Sequence, residues 1–151
     1  MITIGIRAAP KFVVFAIFDT DASEVRTVER IIVPAAFSPP DALKYIRSNL
    51  LDILREFKVE QAGIRATEPN AQRPSIARIQ FEGVILEAFA SSSLKAYYIG
   101  HVSSIAARIG MKRTDFKPTI NNETDPGIEN WANMAQEERE AILCAQGAEN
   151  A

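Results

Sequence analysis

At 151 residues, with 47% hydrophobic and 24% charged side chains, the chain is long enough to bury one α/β core and too short for two. One cysteine, Cys144, excludes an intrachain disulfide, and one histidine, His101, excludes a Cys/His zinc site. The net charge of −2 conceals a split: residues 1–64 carry 8 basic and 8 acidic groups, residues 65–117 carry 8 and 4, and residues 118–151 carry 1 and 7. The basic middle can attract the acidic end or meet a polyanion, and ordinary solvated faces are the plain alternative. No run approaches the roughly 18 apolar residues of a membrane span, and no basic-then-apolar leader opens the chain. The expectation is a cytoplasmic protein in a reducing compartment, without membrane contact.

Ile2, Ile4 and Ile6 alternate with Thr3, Gly5 and Arg7, the two-residue repeat of a strand with one apolar face. Ala8-Ala9-Pro10-Lys11 and Asp19-Thr20-Asp21-Ala22-Ser23 are turn sequences. They join strands over Ile2–Arg7, Phe12–Phe18 and Val25–Val33 into an antiparallel meander. Ser38-Pro39-Pro40-Asp41 then supplies an N-cap, proline in the first turn and an acid at the third position. Leu43, Ile46, Leu50, Ile53, Leu54 and Phe57 follow at three- and four-residue steps. Val59–Ile64 reads as a strand reached by a crossover, and so as parallel to the first.

Beyond a loop containing Pro69, Pro74-Ser75 opens a helix from about Ile76 to Ala90 whose second half is apolar on nearly every side. Such a helix is covered by its own sheet plus another helix, or by a partner subunit. Lys95–Ile99 reads as a fifth strand and His101–Ile109 as a short helix ended by Gly110. Residues 111–130 hold Pro118, Pro126 and Gly127 with little periodicity, which predicts a loop or linker. Asn133-Met134-Ala135-Gln136 reads as a cap opening a last helix to about Ala145. The chain thus divides into a core over 1–110, a linker over 111–130 and an acidic helix over 131–151 that completes the same domain.

This order of elements resembles the RNase H-like superfold, and within it the RuvC branch. I-G-I-R-A-A-P, from Ile4 to Pro10, resembles the branch's opening I-G-I-D-P-G, and A-G-I-R, ending at Arg65, stands where its strand-end glutamate falls. The long second helix, K-A-Y-Y-I-G, a connector bearing Lys112, Arg113 and Lys117, and Q-E-E-R-E-A-I-L-C-A, similar to a D-x-x-D-A helix, complete the likeness. It is also similar to small RuvC-like proteins carrying an I-R-E-R-type strand end. The resemblance implies a mixed five-stranded sheet, its first three strands antiparallel, with helices on both faces.

Active relatives hold divalent metals, usually magnesium, with four acids, and the metals activate water for phosphodiester cleavage. Carried over by position, the last helix keeps Glu137 and Glu140, while the other two places hold Arg7 and Arg65. A guanidinium is permanently cationic and grips carboxylates in a forked hydrogen bond. The expectation is an internal ion cluster in place of a metal site, with no cofactor and no cleavage.

Other readings stay open. Both arginines can point into solvent, and Glu137, Glu138 and Glu140 can form a solvated face, although Glu140 stands beside Ile142 and Leu143 and is favoured inward. Alternatively, Glu68 and Asp19, with Asp21 nearby, can join Glu137 and Glu140 around magnesium in a Holliday-junction-resolvase-like endonuclease, provided the loop before Pro69 folds back over the sheet end. The resemblance favours binding of DNA or RNA without cleavage, with Arg65, Arg73, Arg78, Lys112, Arg113 and Lys117 as candidate phosphate contacts. A protein-binding scaffold is the competing class: a homodimer through helix 76–90, or a subunit of a larger complex docking through 111–130 and the acidic tail. His101 is expected to cap or pack, Ser91-Ser92-Ser93 to end a helix, and Tyr97 and Tyr98 to pack in the core.

Overall fold

Residues 1–151 are described by a computed structural model. β1 (Ile2–Ala8), β2 (Phe12–Asp19) and β3 (Glu24–Ile32) form the antiparallel meander. After α1 (Pro39–Glu56), β4 (Gln61–Arg65) lies parallel to β1. α2 (Ile76–Ser91) then leads to β5 (Ala96–Gly100), parallel to β4, and the sheet order is β3-β2-β1-β4-β5. All five strands and both long helices fall within two residues of where the hydrophobic period places them.

Alternation along the strands gives the sheet two apolar faces. Ile4, Ile6, Phe15, Ile17, Ala62 and Ile64 face α1 and α2, where Ile46, Leu50, Phe81, Ile85 and Phe89 close one core. α2 is thereby covered by its own sheet and by α1. Val14, Ala16, Phe18 and Tyr98 face the other way, onto α3 (Val102–Arg108), α4 (Arg113–Ile120) and α5 (Gln136–Gly147).

α5 lies almost on the sheet backbone, and glycine is what permits it. A Cβ at Gly5 would stand 2.0 Å from the Ala141 carbonyl oxygen and 2.2 Å from the Ala145 nitrogen; one at Gly63 would meet the Tyr98 ring at 2.3 Å and Cys144 Sγ at 2.9 Å. Thr3 Oγ1 donates to the Ala145 carbonyl at 2.7 Å, so α5 runs antiparallel to β1 and brings Glu140 to Arg7. The C-terminal helix buries Ala141, Ile142, Leu143, Cys144 and Ala145 against this sheet.

Two expectations are corrected. The supposed linker 111–130 contains α4, which buries Phe116, Thr119 and Ile120 at helical spacing. Pro118 removes one helical N–H, yet Trp131 Nε1 and Arg139 Nη1 tether the helix end through the carbonyls of Thr119 and Ile120. The last helix begins at Gln136 and not at Asn133, which closes a 3-10 turn over Trp131–Asn133. Glu138 Oε1 accepts the Ala135 N–H at 2.8 Å, so Glu138 supplies the returning carboxylate. No helix is long and apolar enough to cross a membrane.

Candidate nucleic-acid interface

Arg7 and Arg65 occupy equivalent positions on adjacent parallel strands, one residue beyond the Ile6–Ile64 pair. Both project onto the face covered by α5. Arg7 Nε donates to Glu140 Oε2 at 3.0 Å, and Arg65 Nε donates to the same oxygen at 2.9 Å. Each Nη1 donates to the carbonyl of the next residue, Ala8 or Ala66, which fixes both guanidinium planes. The three side chains are 14%, 10% and 5% exposed, so neither strand-end arginine points into solvent and Glu140 is not on a solvated face. In surroundings this dry, one carboxylate oxygen facing two guanidiniums is a strongly coupled unit.

The loop after β4 folds back over this end of the sheet. Glu68 Oε1 accepts the Val102 N–H at the start of α3 at 3.2 Å, while Oε2 stands 3.5 Å from Arg65 Nη1. Glu82, on α2, accepts from the Thr67 backbone and hydroxyl and pairs with Arg78 Nε at 2.9 Å. Desolvation, followed by the nearby positive charge of Arg7, pulls the Arg78 guanidinium below its usual range. Three arginines and three glutamates therefore balance in one network. Glu82 escaped the sequence reading because it sits in an apolar run, although its four-residue spacing from Arg78 was the available signal. Arg139 was missed too: buried, it donates to the carbonyls of Ile120, Trp131 and Ala132.

The remaining candidates divide by position. Asp19 does not join the cluster: it pairs with Ile2 across β1 and β2, at the opposite end of the sheet from Arg7. There it binds Arg26, which with two turn N–H groups holds its carboxyl below the usual range; Asp21 takes the terminal amine. Glu137 is half-buried and makes no ion pair. Arg65 and Arg78 are engaged inside the protein, which demotes both as primary phosphate contacts. Arg73, Lys112, Arg113 and Lys117 are exposed. Lys112 caps α4 and Arg113 and Lys117 lie on it, while Phe116 of the same helix turns inward, its ring 5.8 Å from the Arg65 guanidinium carbon. Lys112, Arg113 and Lys117 thus belong to the helix whose inward Phe116 borders Arg65. His101 caps α3, with its N–H donated to Ser104 Oγ, and Ser92 ends α2. Tyr98 is buried against Cys144, whereas Tyr97 is 44% exposed.

A divalent metal does not fit these residues. No group of three or more Asp, Glu, His or Cys side chains is placed to hold one, and the two acids nearest the strand ends, Glu68 and Glu140, both abut Arg65.

Sheet order, strand directions and the helix laid antiparallel along β1 define an RNase H-like fold. Within that class it is the RuvC type. Thermus thermophilus RuvC superposes with a TM-score of 0.73 at 12% identity, over 97% of this chain and 92% of RuvC. The same protein in complex with a Holliday junction substrate gives 0.71 over the same shares, and the yeast mitochondrial Holliday junction resolvase Ydc2 gives 0.59 at 12% identity, over 96% and 77%. No protein-family model and no curated protein matches the sequence.

Proposed function

We propose that this chain is a RuvC-like protein that binds nucleic acid without cutting it, as a binding or assembly subunit in DNA or RNA processing. The observation that carries the reading is the shared Glu140 oxygen. Guanidiniums occupy the strand ends where the resemblance places metal-holding acids, while Arg73, Lys112, Arg113 and Lys117 stay exposed. Phosphate contacts of this kind bind by counterion release, with a slope of log K against log salt of about −0.9 per contact. The four exposed residues therefore predict a slope of roughly −3 to −4. The test is a gel shift on four-way-junction, duplex and single-stranded substrates across a salt series, with parallel incubation in magnesium or manganese. Salt-dependent binding with intact substrate is expected. Cleavage abolished by Glu68→Gln would replace this reading with the metal-dependent endonuclease.

A second reading has its own observation. Ile76 and Ile79 on α2 are 75% and 44% exposed, and Ile99 on the neighbouring edge strand is 49% exposed, a large apolar surface for a lone subunit. It supports a homodimer through α2, compatible with nucleic-acid binding or independent of it. Light scattering should give twice the chain mass, and Ile79→Arg should return the monomer.

A further inference from the structure

Only one buried carboxylate oxygen in this protein lacks a hydrogen bond, Glu68 Oε2. Buried polar atoms left unpaired are uncommon and destabilising. Glu68 Oε2 lies 3.5 Å from Arg65 Nη1, an ionic contact without hydrogen-bond geometry, since that nitrogen is directed at the Ala66 carbonyl. Pro69 to Pro74, immediately following, are exposed, and the Glu68 side chain itself is 26% exposed. The single hydrogen bond that the carboxylate must give up to leave is the one Oε1 accepts from the Val102 N–H at 3.2 Å.

Removing it changes the local charge. Arg7 and Arg65 then face Glu140 alone, two cations against one anion, and neither Nη2 group is used within the protein. Adjacent guanidiniums with spare N–H groups and an excess positive charge suit a tetrahedral oxyanion, which accepts forked hydrogen bonds from each. We infer that the Arg7–Arg65 pair is a metal-independent site for a phosphate group, held shut by Glu68 acting as an internal anion. That the group belongs to a nucleic-acid backbone rests on the function proposed above; the site itself does not.

The test titrates inorganic phosphate, in EDTA at low ionic strength, into the wild type, Glu68→Gln and Glu68→Gln/Arg65→Lys, with circular dichroism confirming the fold of each. Glu68→Gln should bind phosphate about tenfold more tightly, or ~1.4 kcal/mol, with shifts of the Arg7 and Arg65 Nε–H resonances. Lysine at position 65 should remove the gain. Unchanged or weaker phosphate binding by folded Glu68→Gln overturns the inference. A short duplex titrated alongside separates the two readings. A gain for phosphate alone keeps the site but removes nucleic acid as its source, whereas duplex binding indifferent to Glu68, without a phosphate gain, removes the site and leaves the proposed function standing.

Discussion

Arg7 and Arg65 donate their Nε protons to one and the same oxygen, Oε2 of Glu140. The register of β1 with β4 makes this possible, because parallel neighbours end level, and Gly5 lets α5 come close enough to deliver the acid between them.

Neutralising that acid leaves buried Arg7 without a counter-charge and Arg65 with only its 3.5 Å contact to Glu68. Glu140→Gln should lower unfolding free energy by about 3–5 kcal/mol in denaturant titrations, the cost of breaking a buried pair from one side. Arg7→Asp should act in the same direction by placing like charges together. A loss under ~1 kcal/mol for both would mean that the network contributes little to the fold.

Glycine at two positions should respond oppositely to the same added methyl group. Gly5→Ala drives a Cβ into the α5 backbone, which cannot rotate away, and should cost about 3 kcal/mol or more. Gly83 lies in α2 with open space around its missing Cβ, so Gly83→Ala should stabilise by about 0.5–1 kcal/mol. Thermal unfolding of the two variants reads both signs.

Much of this was legible in the chain. The Ile2–Arg7 alternation and the Ser38-Pro39 helix start locate their elements, and Arg7 shares the face of Thr3 and Gly5. The inward turn of Glu140 follows from Ile142 and Leu143. What escaped has physical causes. Pro118 disguised α4, whose stability comes from tertiary burial of Phe116 and Ile120 and not from propensity. Asp19 looked close because it ends a strand, but an antiparallel hairpin sets the end of β2 beside the start of β1. The folding back of Glu68 onto Arg65 depends on contacts with α3, which no local pattern encodes.

Charge reversal on the exposed basic side chains should separate binding from folding. Lys112→Glu, Arg113→Glu and Lys117→Glu together should abolish the gel shift while leaving unfolding within about 0.5 kcal/mol per site, as for surface substitutions elsewhere. Retention of the shift at low salt would move the contact surface off α4.

Cys144 should be silent to thiol reagents in the native state. Burial pushes its thiol up to about 12 from an ordinary 9.0, and the folded protein holds the proton longer than the unfolded chain. Its contribution to stability is complete below pH 9 and declines as pH rises from 9 toward 12, with Tyr98, also raised chiefly by burial, adding the same sign at higher pH. Denaturant midpoints across that range should fall, and Cys144→Ala should flatten the part between 9 and 10.

Whether arginines stand in for ions at the strand ends is answered most directly by anomalous diffraction from crystals soaked in manganese. The expected map shows no anomalous peak between β1, β4 and α5, with both guanidiniums still seated on Glu140. A manganese ion coordinated there by Glu140 together with Glu68 or Glu137 would contradict the account at its centre.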